Sequence, residues 1–138
     1  MFQTFLHQTN YLAIIVAALV YFVLGALWYS PIAFAKPWME SIGKSQDELQ
    51  GGSKIIYLYT LIGLLMSCFV TAFFVWILGT NNVMSAIKVG LFISIGYVFT
   101  TIAINTMYGM RPFKLILIDS GYHIMGVTIA TIILTLWK

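Results

Sequence analysis

Four apolar runs dominate this chain, and each is about as long as a bilayer is thick. They cover residues 10–29, 55–78, 84–108 and 115–137, and a helix needs about 20 apolar residues to cross the hydrocarbon core. Charged residues make up 8% of the chain, against about 25% in soluble domains. The sequence therefore predicts an all-α, polytopic membrane protein with four transmembrane helices in one bundle, forming a single transmembrane domain over residues 1–138.

Residues 30–54 form the longest polar stretch between these runs. Its first half mixes apolar residues with charged ones: Ile32, Phe34, Trp38, Met39 and Ile42 with Lys36, Glu40 and Lys44. This pattern predicts a short amphipathic segment in the membrane interface, and a plain loop with a few buried anchors is the alternative. In its second half, Ser45 and Glu48 have the spacing of a capping box, which predicts a short helix there.

The distribution of basic residues predicts the orientation, because cytoplasmic loops carry an excess of Lys and Arg. The loop 30–54 contains three lysines and the loop 109–114 contains Arg111 and Lys114, whereas the other side has Lys88 and Lys138. We therefore expect loops 30–54 and 109–114 to lie in the cytoplasm. No basic cluster is interleaved with aromatic residues, so nucleic acid is not an expected partner.

Each apolar run carries small or polar residues at steps of three and four, which places them on one helix face. The second run has Thr60, Gly63, Ser67 and Thr71, and the third has the most polar stripe: Gly90, Ser94, Tyr97, Thr101, Asn105 and Tyr108. Membrane helices associate where small residues allow close approach and polar groups find partners. We therefore expect these stripes to face inward. Because a bundle of this size encloses little space, we also expect a homo-oligomer.

Asp119 and His123 are the residues most difficult to place in a membrane. They lie four apart, so their side chains can meet on one helix face, and ionisable residues at membrane depth usually have a partner and often a function. Asn105, Tyr108, Arg111 and Tyr29 end or begin helices at the same level. One interpretation is a structural clamp in which Asp119 pairs with Arg111. A second is a proton relay in which Asp119 orients His123. The remaining alternative is a metal site, for which a third ligand would have to come from Asn105, from His7 or from a neighbouring subunit.

Two segments of the chain resemble a known family: GALWYSPIAFAKPW (Gly25–Trp38) and RPFKLILIDSGYH (Arg111–His123). They are similar to the bacterial and fungal family called domain of unknown function 1761, which also resembles this chain in the Asn10-Tyr11 opening of the first helix. The family's later motif matches Arg111, Asp119, Tyr122 and His123. The resemblance implies a small integral protein of four apolar segments, expected in the bacterial inner membrane, with no assigned activity.

Three functions are compatible with these features. The first is a small oligomeric transporter or channel-like protein with a proton-linked polar site near the cytoplasmic face, formed by Asn10, Tyr29, Asn105, Tyr108, Arg111, Asp119, Tyr122 and His123. The second is a membrane-embedded enzyme or binder of a lipid-like molecule, and the third is a structural or accessory subunit. No motif for a nucleophile, a phosphate or a metal is present, so we predict no catalytic residue, metal or cofactor. The expected partners are the lipid bilayer, other copies of the chain and a small-molecule, ion or lipid ligand.

Overall fold

The structure is a computed structural model that describes residues 1–50 and 53–138. Gly51 and Gly52, inside the predicted polar loop, lie outside the described residues. The described part of the chain is helical and contains no strand. In chain order the helices are α1 (Phe2–Gln8), α2 (Tyr11–Trp28), α3 (Ala35–Ile42), α4 (Gln46–Gln50), α5 (Ile55–Ile77), α6 (Val83–Ile93), a π-helical segment (Ser94–Phe99), α7 (Thr100–Tyr108) and α8 (Phe113–Leu136).

Four of these elements are long and apolar enough to cross a membrane. They are α2, α5, α8 and the continuous helix Val83–Tyr108, which consists of α6, the π segment and α7. This confirms the predicted all-α fold with four membrane-spanning helices. The first loop holds the short helices α3 and α4, as expected. In α3, Ala35 is buried whereas Lys36 and Glu40 are exposed, as in an amphipathic segment.

Local sequence signals explain where several helices begin. Asn10 caps α2, because its side-chain Oδ1 accepts a hydrogen bond from the backbone N–H of Ala13 at 3.1 Å. Asn82 and Ser85 form a capping box at the start of α6. The backbone N–H and the hydroxyl of Ser45 both hydrogen-bond to Glu48 and hold the pKa of that carboxyl below its usual range.

Helix α8 is the centre of the bundle, since it packs against α2, α5, α6, the π segment, α7 and α3. Helices α5 and α6 are joined by a tight turn but have few contacts with each other, because both pack on α8. At Gly90 of α6, a Cβ atom would lie only 2.8 Å from Thr128 Cα. The α6–α8 contact is therefore a close approach of two backbones, of the kind that small residues permit in membranes.

The third membrane helix differs from the sequence prediction, because only part of its polar stripe faces inward. Gly90 and Ser94 are buried, but Tyr97 is 70% exposed, Tyr108 is 87% exposed, and Thr101 and Asn105 are also exposed. The cause is the π segment, where i→i+5 hydrogen bonds take up about one extra residue per turn. Ser94 and the 7%-exposed Thr106 are then both buried, with the half-buried Ile102 between them. The part of the predicted stripe that follows Ser94 faces outward.

The hydroxyl groups of two threonines compensate for the disturbed backbone ladder at the π segment. Thr100 Oγ1 donates to Gly96 O at 2.8 Å, and Thr101 Oγ1 donates to Tyr97 O at 2.7 Å. Such local bonds are how membrane helices satisfy irregular carbonyls. The stripe of α5 is also only partly inward: Thr71 is buried, whereas Thr60 and Gly63, nearer the start of the helix, are exposed.

Candidate functional site

The polar groups of the bundle converge on the contact between α2 and α8. Tyr21 of α2 contacts His123 of α8, and Tyr29, at the end of α2, contacts Asp119 of α8. The ring of Tyr122 packs between the two tyrosine rings. We call these five side chains the polar column. At 1.5 Å per residue, Asp119 lies about 9 Å and His123 about 15 Å along α8 from its start. Since α8 has 24 residues, the column extends from one end of the helix to its middle.

The outer pair of the column is Tyr29 and Asp119. The Tyr29 hydroxyl donates a hydrogen bond to Asp119 Oδ1 at 2.8 Å, and both residues are half-buried. Trp38 of α3 packs edge-on against the Tyr29 ring, with centroids 5.2 Å apart. Helix α3 therefore folds back over this end of the column and covers it from the side of the first loop.

The inner pair is Tyr21 and His123, near the middle of the membrane. Tyr21 Oη lies 2.6 Å from His123 Nδ1 and 3.4 Å from the His123 carbonyl oxygen. The tyrosine hydroxyl can donate to a neutral Nδ1, or it can accept from Nδ1–H while it donates to the carbonyl. The pair thus stays hydrogen-bonded in either tautomer of the histidine.

Glycines allow the aromatic rings of the column to fit between the two helices. The Tyr122 ring lies between those of Tyr29 and Tyr21, at centroid distances of 5.5 and 5.3 Å. A Cβ on Gly25 would lie 2.9 Å from the Tyr122 hydroxyl, and a Cβ on Gly126 would overlap the Tyr21 ring. Each helix therefore provides a glycine seat for a tyrosine of the other, which brings the two backbones close together.

A third reciprocal contact fastens the helices beside the column. The indole N–H of Trp28 donates to the Ile118 carbonyl at 3.0 Å, and its ring lies against Gly121, where a Cβ would be 3.0 Å away. Trp28 also packs against Phe34 in the first loop, with ring centroids 4.7 Å apart. Trp28 and Tyr29, at the end of α2, thus both form side-chain hydrogen bonds to α8.

The structure brings together four of the eight sequence-predicted site residues, namely Tyr29, Asp119, Tyr122 and His123. Asn105, Tyr108 and Arg111 are exposed. Asn10 lies at the opposite end of α2, where its side-chain amide donates to the Trp137 carbonyl at 3.4 Å.

The Arg111–Asp119 clamp considered from the sequence is not formed. Within the described residues the salt bridge found is Lys114–Glu40, at 3.7 Å, which ties the start of α8 to α3. Arg111 is exposed and so keeps its hydration, whereas the tyrosine hydroxyl can bond to Asp119 at a lower desolvation cost.

Tyr21 is a candidate that is absent from the eight site residues predicted from the sequence. The sequence did contain a signal for it. The Tyr21 hydroxyl lies in the middle of a spanning helix, too deep to reach water, and so requires a hydrogen-bond partner.

The polar column contains two side chains of the kinds that bind metal ions, Asp119 and His123. Within the described ranges of the chain, no group of three or more His, Cys, Asp or Glu residues could hold a metal ion.

One of three comparisons with known proteins gives a match. One protein-family model matches residues 12–135, from the first turn of α2 to the last turn of α8. No curated protein and no solved structure matches the chain. Because the matched segment includes all four membrane helices and the whole polar column, the chain belongs to the family described as "Protein of unknown function (DUF1761)".

Proposed function

We propose that the chain is a small, oligomeric transporter or channel-like protein in which protons exchange at the polar column. The observation that supports this most directly is the environment of Asp119, a carboxyl group at membrane depth that is hydrogen-bonded to a phenol. An ion-paired carboxylate is held in its charged form by the cation. A carboxyl bonded to tyrosine can gain or lose a proton and keep its partner, since the hydroxyl donates to the carboxylate and accepts from the acid.

The inner pair extends this chemistry towards the middle of the membrane. His123 changes charge near neutral pH in water, and its ring contacts Tyr122, with centroids 4.6 Å apart. Both titratable residues belong to α8, and both of their tyrosine partners belong to α2 or its end. A change of protonation therefore alters which group donates in a hydrogen bond between α2 and α8, while the contact itself is kept.

Two further features support the orientation and the oligomer. Lys36, Lys44 and Lys54 in the first loop, with Arg111 and Lys114 in the third, favour the cytoplasm for the Asp119 end of the column. On the outside of the bundle, Asn105 and Thr101 lie on an exposed face of a membrane helix. Polar side chains on such faces stabilise contacts between helices, here with a second copy of the chain.

The proposal is tested by proton flux into liposomes that contain the purified protein and an enclosed pH-sensitive dye. A potassium gradient with valinomycin supplies the driving potential. Wild type should acidify the interior faster than protein-free liposomes, and Asp119→Asn should reduce that flux by about 10²-fold or more, in line with the loss of an essential proton-transfer group. Tyr29→Phe should reduce it less, because the carboxyl remains. Asp47→Asn, at an exposed acid of α4 that forms no salt bridge within the described residues, is the matched control and should transport as wild type does.

The structural alternative predicts a different pattern. If the column only fastens α2 to α8, Asp119→Asn and Tyr29→Phe will lower the unfolding temperature while wild type conducts no more than empty liposomes. Equal flux in wild type and Asp119→Asn would also refute the proposal.

A further inference from the structure

A groove opens sideways between α5 and α6, at the end of the bundle opposite the first loop. Its volume is about 460 Å³, and its walls include Phe74, Leu78, Lys88, Phe92, Ile93 and Tyr97. The groove exists because α5 and α6 leave their shared turn and pack on α8 with few contacts between them. Phe92 is 79% exposed, so in a membrane this groove faces the hydrocarbon.

The groove matches a lipid molecule in two respects: it is charged at the end near the membrane surface and apolar along the rest of its length. Lys88 is five residues beyond the start of α6, about 7.5 Å along the helix, and Tyr97 is a further nine residues, about 14 Å, along. Tyr97 is close to the middle of the 26-residue span. The groove therefore extends from near the membrane surface, with one cation, to the middle of the bilayer, with apolar walls.

The charge at this end favours an anionic occupant. All four acidic residues of the chain, Glu40, Asp47, Glu48 and Asp119, belong to the first loop or to the first two turns of α8 at the other membrane face. The ammonium group of Lys138 donates a hydrogen bond to the carbonyl oxygen of Thr80. Lys88 is exposed and belongs to no salt bridge within residues 1–50 and 53–138. A second copy in the same orientation would bring no acid to Lys88, whereas an anionic lipid would.

We propose that the groove binds one acyl chain of an anionic phospholipid, with Lys88 paired to the lipid phosphate. The lysine stem lies along the apolar wall while its ammonium reaches the headgroup level. The aromatic rings of Phe74, Phe92 and Tyr97 then contact the acyl chain down to the bilayer midplane. This site is separate from the polar column, and it holds whether or not the column conducts protons.

The test is lipid retention in native mass spectrometry. Wild type is reconstituted in vesicles of equal phosphatidylglycerol and phosphatidylcholine with identical acyl chains and is then released gently. Wild type should retain phosphatidylglycerol preferentially. Lys88→Gln should lower that retention about fivefold, the effect of about 1 kcal/mol per basic residue at an anionic surface, and Lys88→Arg should preserve it. Lys114→Gln, at the opposite membrane face and paired with Glu40, is the matched control and should retain lipid as wild type does.

A second variant tests the groove itself. Val89→Trp, which fills the groove from its α6 wall, should lower retention of both lipids in a protein with wild-type unfolding temperature. If Lys88→Gln retains as much phosphatidylglycerol as wild type, or if the groove-filling variant retains both lipids unchanged, the proposal is wrong. A lipid-free dimer that dissociates in the Val89→Trp variant would show that a second copy occupies the groove.

Discussion

Gly126→Ala is expected to destabilise the protein by about 2–3 kcal/mol, which is large for the addition of one methyl group. The new Cβ would overlap the ring of Tyr21, which is 2% exposed and cannot move aside without leaving its site between the helices. Its displacement also breaks the contact between Tyr21 Oη and His123 Nδ1. Thermal unfolding in detergent micelles, followed by the loss of helical circular dichroism, measures the change.

Gly63→Ala is the matched control for this prediction. Gly63 is also in the interior of a membrane helix, but a Cβ added there meets nothing within 4 Å. The substitution should therefore leave stability unchanged or raise it slightly, because alanine favours helix more than glycine does. A double variant adds a second check. Tyr21→Ala removes the ring that obstructs the new methyl group, so Gly126→Ala should cost much less in that background. Equal unfolding temperatures for Gly126→Ala and Gly63→Ala would contradict the glycine-seat interpretation.

Sequence reasoning predicted the spans well because their physical basis is simple. A run of about 20 apolar residues is stable in a bilayer only as a helix, and that rule needs no knowledge of neighbours. The same reasoning identified Asp119 and His123, since the cost of an ionisable group at membrane depth depends on its own chemistry. It also placed Tyr29 at the correct level, because the end of one helix and the start of another must share a membrane face.

The partners of these groups could not be predicted with the same rules. A sequence shows which residues lie at one depth, but the choice between Arg111 and Tyr29 for Asp119 depends on how α2 and α8 cross. That crossing is set by Gly25 and Gly126, whose importance becomes visible only when the Tyr122 and Tyr21 rings are placed on them.

In the third membrane helix the prediction of the buried face was wrong for a different reason, because the assumed period of the α-helix does not hold there. Regular steps of three and four assume an unbroken α-helix. The π segment adds a residue near Ser94, and every side chain after it moves to a different face. The segment Ser94–Phe99 contains no proline or charged residue from which the π geometry could be predicted. The hydroxyl groups of Thr100 and Thr101, which stabilise the π segment, also occur in regular membrane helices.

The changed register of α7 predicts a clear pattern of cysteine labelling near the end of that helix that precedes α8. In a Cys68→Ala background, which removes the single native thiol, Asn105→Cys and Thr106→Cys can be compared in turn. Asn105 is exposed and Thr106 is buried, so a maleimide should label Cys at 105 roughly ten times faster than at 106, since buried thiols are largely inert. An unbroken α-helix would give the opposite order.

Deletion of Gly96 tests whether the π segment is the cause. Gly96 is exposed and a Cβ there would meet nothing within 4 Å, so its removal loses little packing while it takes one residue out of the wide turn. The deletion should restore regular α geometry and rotate α7 by about 100°, which turns position 105 inward and position 106 outward. The labelling order should then reverse. The same order in the deletion variant as in the full-length chain would show that contacts of α7 with α8, and not the π segment, determine which face of the helix is buried.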